Sequence, residues 1–125
     1  MTPRYLTKSR FTLALECPTK LHYIGKPDYA NHRAENSFLQ ALAEGGFQVG
    51  ELVKCYYPGG QEILGLDYES AEKETEQLMN QENVTLFEPA IRHHNFFIRI
   101  DVLIKEGFEL ELIEVKAKSF DSLDE

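Results

Sequence analysis

The sequence predicts an α/β (α+β) fold in which N-terminal helices are followed by a three-stranded antiparallel meander. Apolar side chains recur at helical spacing in residues 1–60, between prolines and glycines that interrupt the pattern. Residues 84–118 instead hold three runs rich in β-branched and aromatic residues, separated by short turn-prone pieces. With 125 residues, 42% of them hydrophobic, the chain is long enough for one core. We therefore expect a single domain over 1–125, with a helical front in 1–60 and a helix plus the core sheet in 61–125.

The first two predicted helices are short. Thr7 or Ser9 is a suitable cap for a helix with apolar residues in Phe11–Leu15, and Pro18 interrupts that helix because proline has no amide to donate. A second helical stretch follows and ends at the break Gly25–Pro27.

Two further helices complete the predicted helical front. One starts near Asn31 and ends at Gly45-Gly46, since glycine commonly follows the last turn of a helix. The next covers Phe47–Tyr57, and Pro58–Gly60 forms the turn after it.

The next segment combines a short strand with a polar helix. The strand is predicted over Gln61–Leu66, and the helix over Tyr68–Gln81 with Asp67 as its cap. This helix is rich in glutamate and poor in large apolar residues, which is typical of a solvated surface helix.

Three strands are predicted at the end, over Val84–Arg92, Phe96–Lys105 and Glu109–Lys118. Short turns join them, the first being His93–Asn95 and the second Glu106–Phe108. We interpret the histidine pair as a hairpin tip, with metal binding as the alternative, because adjacent histidines in a turn are a poor chelate.

Charge and targeting features narrow the class of protein. The net charge of −8 is unfavourable for a nucleic-acid partner, but it is unevenly distributed. Residues 1–35 hold six basic and three acidic groups, and the remainder holds seven basic and eighteen acidic groups. No apolar run is long enough to cross a membrane, and the N terminus lacks the pattern of a secretory signal. We therefore expect a cytoplasmic protein that does not contact a membrane.

The last two predicted strands carry a candidate metal site. Strand periodicity places Asp101 on one face of its strand, and Glu114 and Lys116 together on one face of the next. A tight turn joins these strands, so the two carboxylates can approach each other, and a divalent cation such as Mg²⁺ would relieve their repulsion. Lys116 is then suited to orient an attacking water or to neutralise a phosphate. The alternative is a solvated strand face, since a Glu-x-Lys triplet is common by chance. The apolar run Ile100–Ile104 around Asp101 favours the site.

These residues resemble a known nuclease superfamily. Asp101, followed after a hairpin by Glu114-Val115-Lys116, resembles motifs II and III of the PD-(D/E)XK nucleases. Tyr5–Phe11 with Glu16-Cys17-Pro18 looks like the opening of RecB-like nucleases, including the CRISPR-associated adaptation exonucleases. Val49-Gly50-Glu51-Leu52 and the following Tyr56–Gly60 are similar to an uncharacterised bacterial RecB-like family, in which these segments begin a much longer protein.

The resemblance implies a partial restriction-endonuclease-like core and a set of roles. Asp101 and Glu114 would bind Mg²⁺ or Mn²⁺, the carbonyl of Val115 would be a further ligand, and Lys116 would be the catalytic lysine. Glu51 would occupy a first-helix position where many members have histidine, and a solvated helix carboxylate is the alternative for it. Glu88, in the segment before the Asp101 strand, ranks below Glu51 as a further contributor.

The resemblance also predicts chain that is missing here. It implies a helix and a strand after the Glu-x-Lys strand, whereas the sequence stops nine residues after Lys116. We therefore expect a truncated fragment, inactive alone, whose incomplete sheet edge supports a homodimer. An iron–sulfur cluster would form only if downstream cysteines joined Cys17, because the chain has two cysteines. Otherwise Cys17 is a small buried apolar residue.

Three functions compete at this point. The first is a metal-dependent DNA nuclease module that hydrolyses phosphodiester bonds. The second is a non-catalytic module of the same fold that binds nucleic acid or a protein partner through the basic front, which comprises Arg4, Lys8, Arg10 and Lys20. The third is a structural α/β domain without a site.

Overall fold

The computed structural model describes residues 4–29 and 36–117, which form four helices and two mixed β-sheets. This architecture confirms the coarse α+β class. The arrangement of the strands differs from the predicted meander, and the difference decides where the candidate site lies.

The first helix is the one that the sequence predicted. A two-residue strand, β1 (Leu6–Thr7), leads into α1 (Lys8–Glu16). Thr7 caps α1, since its side chain accepts a hydrogen bond from the Arg10 amide at 3.3 Å. Helix α2 (Lys20–Tyr23) follows Pro18 and ends before Gly25, whose φ of +74° turns the chain.

Helix α3 (Ser37–Tyr56) is one continuous helix where two were predicted. Its Asn36 cap accepts hydrogen bonds from the two amides that follow Ser37, at 3.0 and 3.2 Å. The predicted break at Gly45-Gly46 was wrong. Glycine permits a positive φ without requiring it, and neither residue adopts one. The start predicted near Asn31 lies outside the described residues.

Strand β2 (Gln61–Glu62) is shorter than the predicted Gln61–Leu66 because, after the Ile63 amide, the next two amides bond to a side chain of α4 (Tyr68–Leu78). The amides of Leu64 and Gly65 donate to the Glu74 carboxylate at 3.1 and 2.9 Å, so they do not pair with a strand. Asp67 caps α4 as predicted, accepting from the Ser70 amide at 2.7 Å.

The sheet residues form β3 (Asn83–Phe87), β4 (Ala90–His93), β5 (Phe96–Arg99), β6 (Val102–Glu106) and β7 (Glu109–Ile113). The first two predicted strands are thus each divided into two.

The two divisions face each other and form a corner in the hairpin. Glu88 adopts a φ of +56° before Pro89, which has no amide to donate. The Glu88 amide donates to the Asp101 carbonyl at 3.1 Å, and the Ile100 amide donates to the Pro89 carbonyl at 3.1 Å. One hairpin therefore bends between these residues, and each half enters a different sheet.

The strand orders are β1-β5-β4 in one sheet and β2-β3-β6-β7 in the other. The pairs β4–β5, β3–β6 and β6–β7 are antiparallel, whereas β1–β5 and β2–β3 are parallel. Two mixed sheets thus stand where the sequence predicted one antiparallel meander. The short parallel strands carry too few residues to produce a recognisable pattern.

The core lies where α4 packs on the sheets. Its buried residues include Ile63, Ala71, Val84, Leu86, Ala90, Phe97, Ile100 and Leu103. Helix α4 is therefore not only a surface helix, because Ala71 and Thr75 on one face are buried. The Thr75 hydroxyl donates to the Ala71 carbonyl and accepts from the Ala90 amide, which ties α4 to the start of β4. None of the residues of α3 is buried.

Candidate functional site

Asp101 occupies the corner of the hairpin, one residue before β6. Its neighbours Ile100 and Val102 are buried, while its own side chain is exposed. Its Oδ2 accepts a hydrogen bond from the Val115 amide at 2.7 Å. The break between β5 and β6 therefore turns the carboxylate out of the apolar run and toward the Glu-x-Lys segment.

The sequence predicted that Glu114, Val115 and Lys116 belong to the last strand, which was wrong: β7 ends at Ile113 and these three residues follow it. The last residue pair of β6 and β7 is Val102 with Ile113, so Asp101 and Glu114 stand one step beyond it. The pairing of β6 with β7 thus places Asp101 and the Glu-x-Lys segment at the same end of the sheet, where Val115 contacts Asp101.

The side chain of Glu114 is directed to two lysines. Its Oε1 accepts from Lys8 and, at 2.9 Å, from Lys116. These hydrogen bonds lower the pKa of Glu114 to about 2, and the bond from Lys8 has the larger effect of the two. The same contact raises the pKa of Lys8. Lys8, which contacts Glu114 across 106 residues of sequence, was missed as a neighbour of the site.

A cavity of about 170 Å³ lies between the C-terminal half of α3 and the corner. Glu51, Glu88, Asp101 and Val115 all line it. The structure therefore brings four of the predicted positions together. Glu114 and Lys116 do not line this cavity; they lie beside it, joined through Val115.

Two residues of this cavity were not anticipated from the sequence. Lys54 donates to Glu51 at 2.7 Å and to Glu62 at 2.8 Å. These hydrogen bonds raise the pKa of Lys54. The spacing of Glu51 and Lys54 on α3 was a readable signal. The contact with Glu62 was not, because it depends on the pairing of β2 with β3.

The donor atoms are of the kind that a hard divalent cation prefers, but they do not converge on one position. Carboxylate and carbonyl oxygens are the ligands that Mg²⁺ and Mn²⁺ prefer. Within residues 4–29 and 36–117, however, no three His, Cys, Asp or Glu side chains converge enough to hold an ion. Glu51 and Glu114 are instead engaged by Lys54 and Lys8.

A larger groove of about 1000 Å³ adjoins the site along α1. Lys8 and Arg99 line it together with the hydroxyl-bearing residues Thr7, Ser9 and Thr12, and Tyr68 and Phe97 are among its apolar residues. Arg99 donates its Nε to the Glu88 carbonyl at 3.0 Å. Lys8 is common to this groove and to the Glu114 contact.

The other residues of the predicted basic front have local roles. Arg4 donates to the Leu21 carbonyl, Arg10 donates to the Tyr5 carbonyl, and Lys20 pairs with Glu16. Only Lys8 of the four lines the groove.

The remaining candidates lie away from the cavity. His93 and His94 stack edge to face at the hairpin tip, with ring centroids 4.3 Å apart. Cys17 is half-buried at the end of α1, and a backbone hydrogen bond from Thr19 lowers the pKa of its thiol. In the described part of the chain, no helix has the length and apolar composition that a membrane crossing needs.

Comparison of the sequence with models of protein families and with curated proteins, and of the structure with solved structures, found no match.

Proposed function

We propose that this chain is a module of a Mg²⁺- or Mn²⁺-dependent DNA nuclease of the PD-(D/E)XK type, with a partial restriction-endonuclease-like core. One observation carries the proposal. The Val115 amide binds the Asp101 carboxylate at 2.7 Å, so the Glu-x-Lys segment and the distant aspartate share one site beside a carboxylate-lined cavity. A solvated strand face would not require this contact.

In this proposal Asp101, Glu114 and the carbonyl of Val115 would hold the cation, and Glu51 would add a carboxylate from α3. A cation held there would supply the acidification of a water molecule and the neutralisation of charge on the phosphate. Lys116 lies 2.9 Å from Glu114, where its ammonium group is suited to orient that water or to stabilise the developing negative charge. Glu88 shares the cavity and supports the site from the corner.

The proposed partners follow from two surfaces. DNA would enter along the groove beside α1, where Lys8 and Arg99 supply positive charge. In the second sheet β7 is the last strand of the described residues, so its outer edge is the proposed contact for a homodimer.

A second candidate function is favoured by a specific observation. Lys8 and Lys54 neutralise two of the carboxylates that a metal site would need. A non-catalytic module that binds nucleic acid or a protein partner would retain this arrangement permanently.

Mn²⁺ titration by calorimetry separates the two candidates. We expect binding to the wild-type chain, loss of binding in Glu114→Gln, and unchanged binding in the matched control Glu111→Gln, an exposed carboxylate of β7. A folded wild-type chain that binds no Mn²⁺ refutes the nuclease proposal.

A cleavage assay then tests catalysis by the encoded protein. Removing an electrostatic contributor from an active site costs about 10²–10³ in rate. We therefore expect Lys116→Ala to lose that much DNA cleavage, while the exposed control Lys73→Ala retains it. Mn²⁺ binding without cleavage would favour the non-catalytic module.

A further inference from the structure

Helix α3 carries a regular row of apolar residues, which we call the α3 seam. Its members are separated by four, three, four, three and four positions, and they are Phe38, Leu42, Gly45, Val49, Leu52 and Tyr56. This alternation of three and four is the heptad spacing that aligns side chains along one side of a helix and packs them against a second helix. The seam therefore has the pattern of a helix–helix contact.

The α3 seam is exposed in the described part of the chain. No residue of α3 is buried. The four large residues of the seam, Phe38, Leu42, Leu52 and Tyr56, are between 56% and 75% exposed. Exposed apolar side chains that form a continuous patch, unlike single scattered ones, mark a surface for another macromolecule.

Charged residues lie away from the seam. Only Glu44, Glu51 and Lys54 are charged in α3. In the heptad spacing, the six positions that flank a seam face the partner helix and commonly carry charges. Here the flanking positions are uncharged, and they are Leu39, Ala41, Gly46, Gln48, Val53 and Cys55. Two copies of this surface therefore meet without repulsion.

We propose that the α3 seam binds the α3 seam of a second copy of this chain, with the two helices antiparallel. The seam is symmetric about residue 47. An aromatic residue lies at each end, Leu42 and Leu52 come next, and Gly45 and Val49 lie on either side of the midpoint. An antiparallel two-fold contact therefore pairs an aromatic ring with an aromatic ring and a leucine with a leucine.

The middle of the seam selects the antiparallel orientation. In an antiparallel pair each Gly45 faces Val49 of the other copy, so the isopropyl group occupies the space that glycine leaves. A parallel pair would place the two glycines opposite each other. The resulting gap would forfeit packing contacts at the centre of the interface.

The area of the seam fits a weak dimer. Phe38 and Tyr56 are 69% and 75% exposed. With the leucines, each copy offers about 500 Å² of apolar surface, and a pair would bury about 1,000 Å² in total. This total lies at the lower end for specific protein interfaces, so we expect a reversible, concentration-dependent dimer.

This contact is independent of the proposed nuclease function and of the β7 edge. Glu51 and Lys54, which line the cavity, lie on the other side of α3 by the same helical spacing. The seam can therefore be covered while these two residues remain at the cavity.

Sedimentation of the wild-type chain over a range of concentrations gives the first test. We expect a monomer–dimer equilibrium below about 0.5 mM, and Leu52→Glu should weaken it at least about tenfold, because a carboxylate would be buried without a partner. The matched control Leu15→Glu changes a leucine of α1 that is 72% exposed and should leave the equilibrium unchanged. Circular dichroism verifies that each variant is folded.

Paired charge substitutions test the orientation. We expect Leu42→Glu and Leu52→Lys to be monomeric separately and to form a dimer when mixed, since residue 42 of one copy faces residue 52 of the other. The mixed dimer then holds one Glu–Lys pair and one unchanged pair of leucines. A mixture of Leu42→Glu with Leu42→Lys is the control, because only a parallel contact would restore that pair.

Each outcome decides the proposal. A wild-type chain that stays monomeric up to about 0.5 mM overturns it. A dimer that persists in Leu52→Glu uses another surface, such as the β7 edge, and also overturns it. Rescue by the Leu42→Glu and Leu42→Lys mixture alone overturns the antiparallel arrangement. None of these results bears on Mn²⁺ binding, so the nuclease proposal is tested separately.

Discussion

Replacing Thr75 by valine removes one oxygen from the junction between α4 and β4. The Thr75 hydroxyl accepts from the Ala90 amide at 2.9 Å and donates to the Ala71 carbonyl at 2.8 Å. Thr75 is 3% exposed and Ala90 is 2% exposed, so water cannot replace the lost acceptor. Valine has nearly the same shape and cannot accept a hydrogen bond.

The magnitude follows from the group left behind. A buried amide without a partner costs about 1–3 kcal/mol. Packing is nearly unchanged by the substitution, so we expect the free energy of unfolding to fall by about 2 kcal/mol. Urea denaturation followed by circular dichroism should show a lower midpoint with an unchanged slope. Ala90 begins β4 directly after the corner, so its amide should also exchange with solvent faster.

The chain offers a matched control for this prediction. Thr12 makes the same hydroxyl bond to the carbonyl four residues earlier, at 3.0 Å, but lies exposed on α1. Thr12→Val should change the free energy of unfolding by less than about 0.5 kcal/mol. Equal effects of Thr12→Val and Thr75→Val would refute the reasoning. So would a Thr75→Ser variant as unstable as Thr75→Val, because serine keeps the oxygen.

Three further predictions concern α3, the pH dependence and the corner. Gly46→Ala should raise the free energy of unfolding by about 0.5–1 kcal/mol, since no neighbouring atom lies within 4 Å of the added Cβ. Gly65→Ala should lower the free energy of unfolding, since its Cβ would lie 2.5 Å from a backbone nitrogen of α4. Urea denaturation measures both changes. Glu114 should titrate near pH 2 by NMR. Because the folded-state pKa is depressed, the contribution of Glu114 to stability is present above its ordinary pKa of 4.5 and is lost as the pH falls toward 2. Titration near pH 4.5 would contradict the lysine contacts. Asp101→Asn should lose Mn²⁺ affinity yet protect the Val115 amide from exchange, whereas Asp101→Ala should lose both; a slow-exchanging Val115 amide in the alanine variant would contradict the contact.

Local signals in the sequence predicted the helices best. Thr7 and Asp67 cap the helices that they were expected to cap, because a capping side chain bonds to amides only a few residues away. The helix end predicted at Gly45-Gly46 was wrong because a glycine pair indicates only which backbone conformations are possible locally. The residues on both sides of the pair are helical, and the glycines remain in the same helix.

The strands were harder because their limits depend on distant partners. The run from Val84 to Arg92 is continuously strand-like, yet it is divided at Glu88-Pro89, opposite the division beside Asp101. Proline within the run was a usable warning. The parallel additions β1 and β2 have two residues each, too short for a period to be recognised.

Only part of the candidate site could be predicted from the sequence, because some of its contacts join elements that are distant in the sequence. The pairing of β6 with β7 could be inferred from a tight turn, and it leads Asp101 and the Glu-x-Lys segment to one place. Lys8 and Glu62 approach this region from other elements, so their contacts with Glu114 and Lys54 were not readable from spacing.

The corner in the hairpin also determines how the molecule should unfold. Strands β5 and β6, which are interior strands of the two sheets, are consecutive halves of one chain segment, and β3 and β4, which pair with them, are consecutive halves of the preceding segment in the same register. A slip of one residue in that single register would expose Leu86, Phe97 and Leu103 together. We therefore expect the two sheets to unfold as one cooperative unit, in which the protected amides of both sheets exchange with the same free energy of opening. Asp101, which lies where the sheets meet, should stay in place until that unit opens.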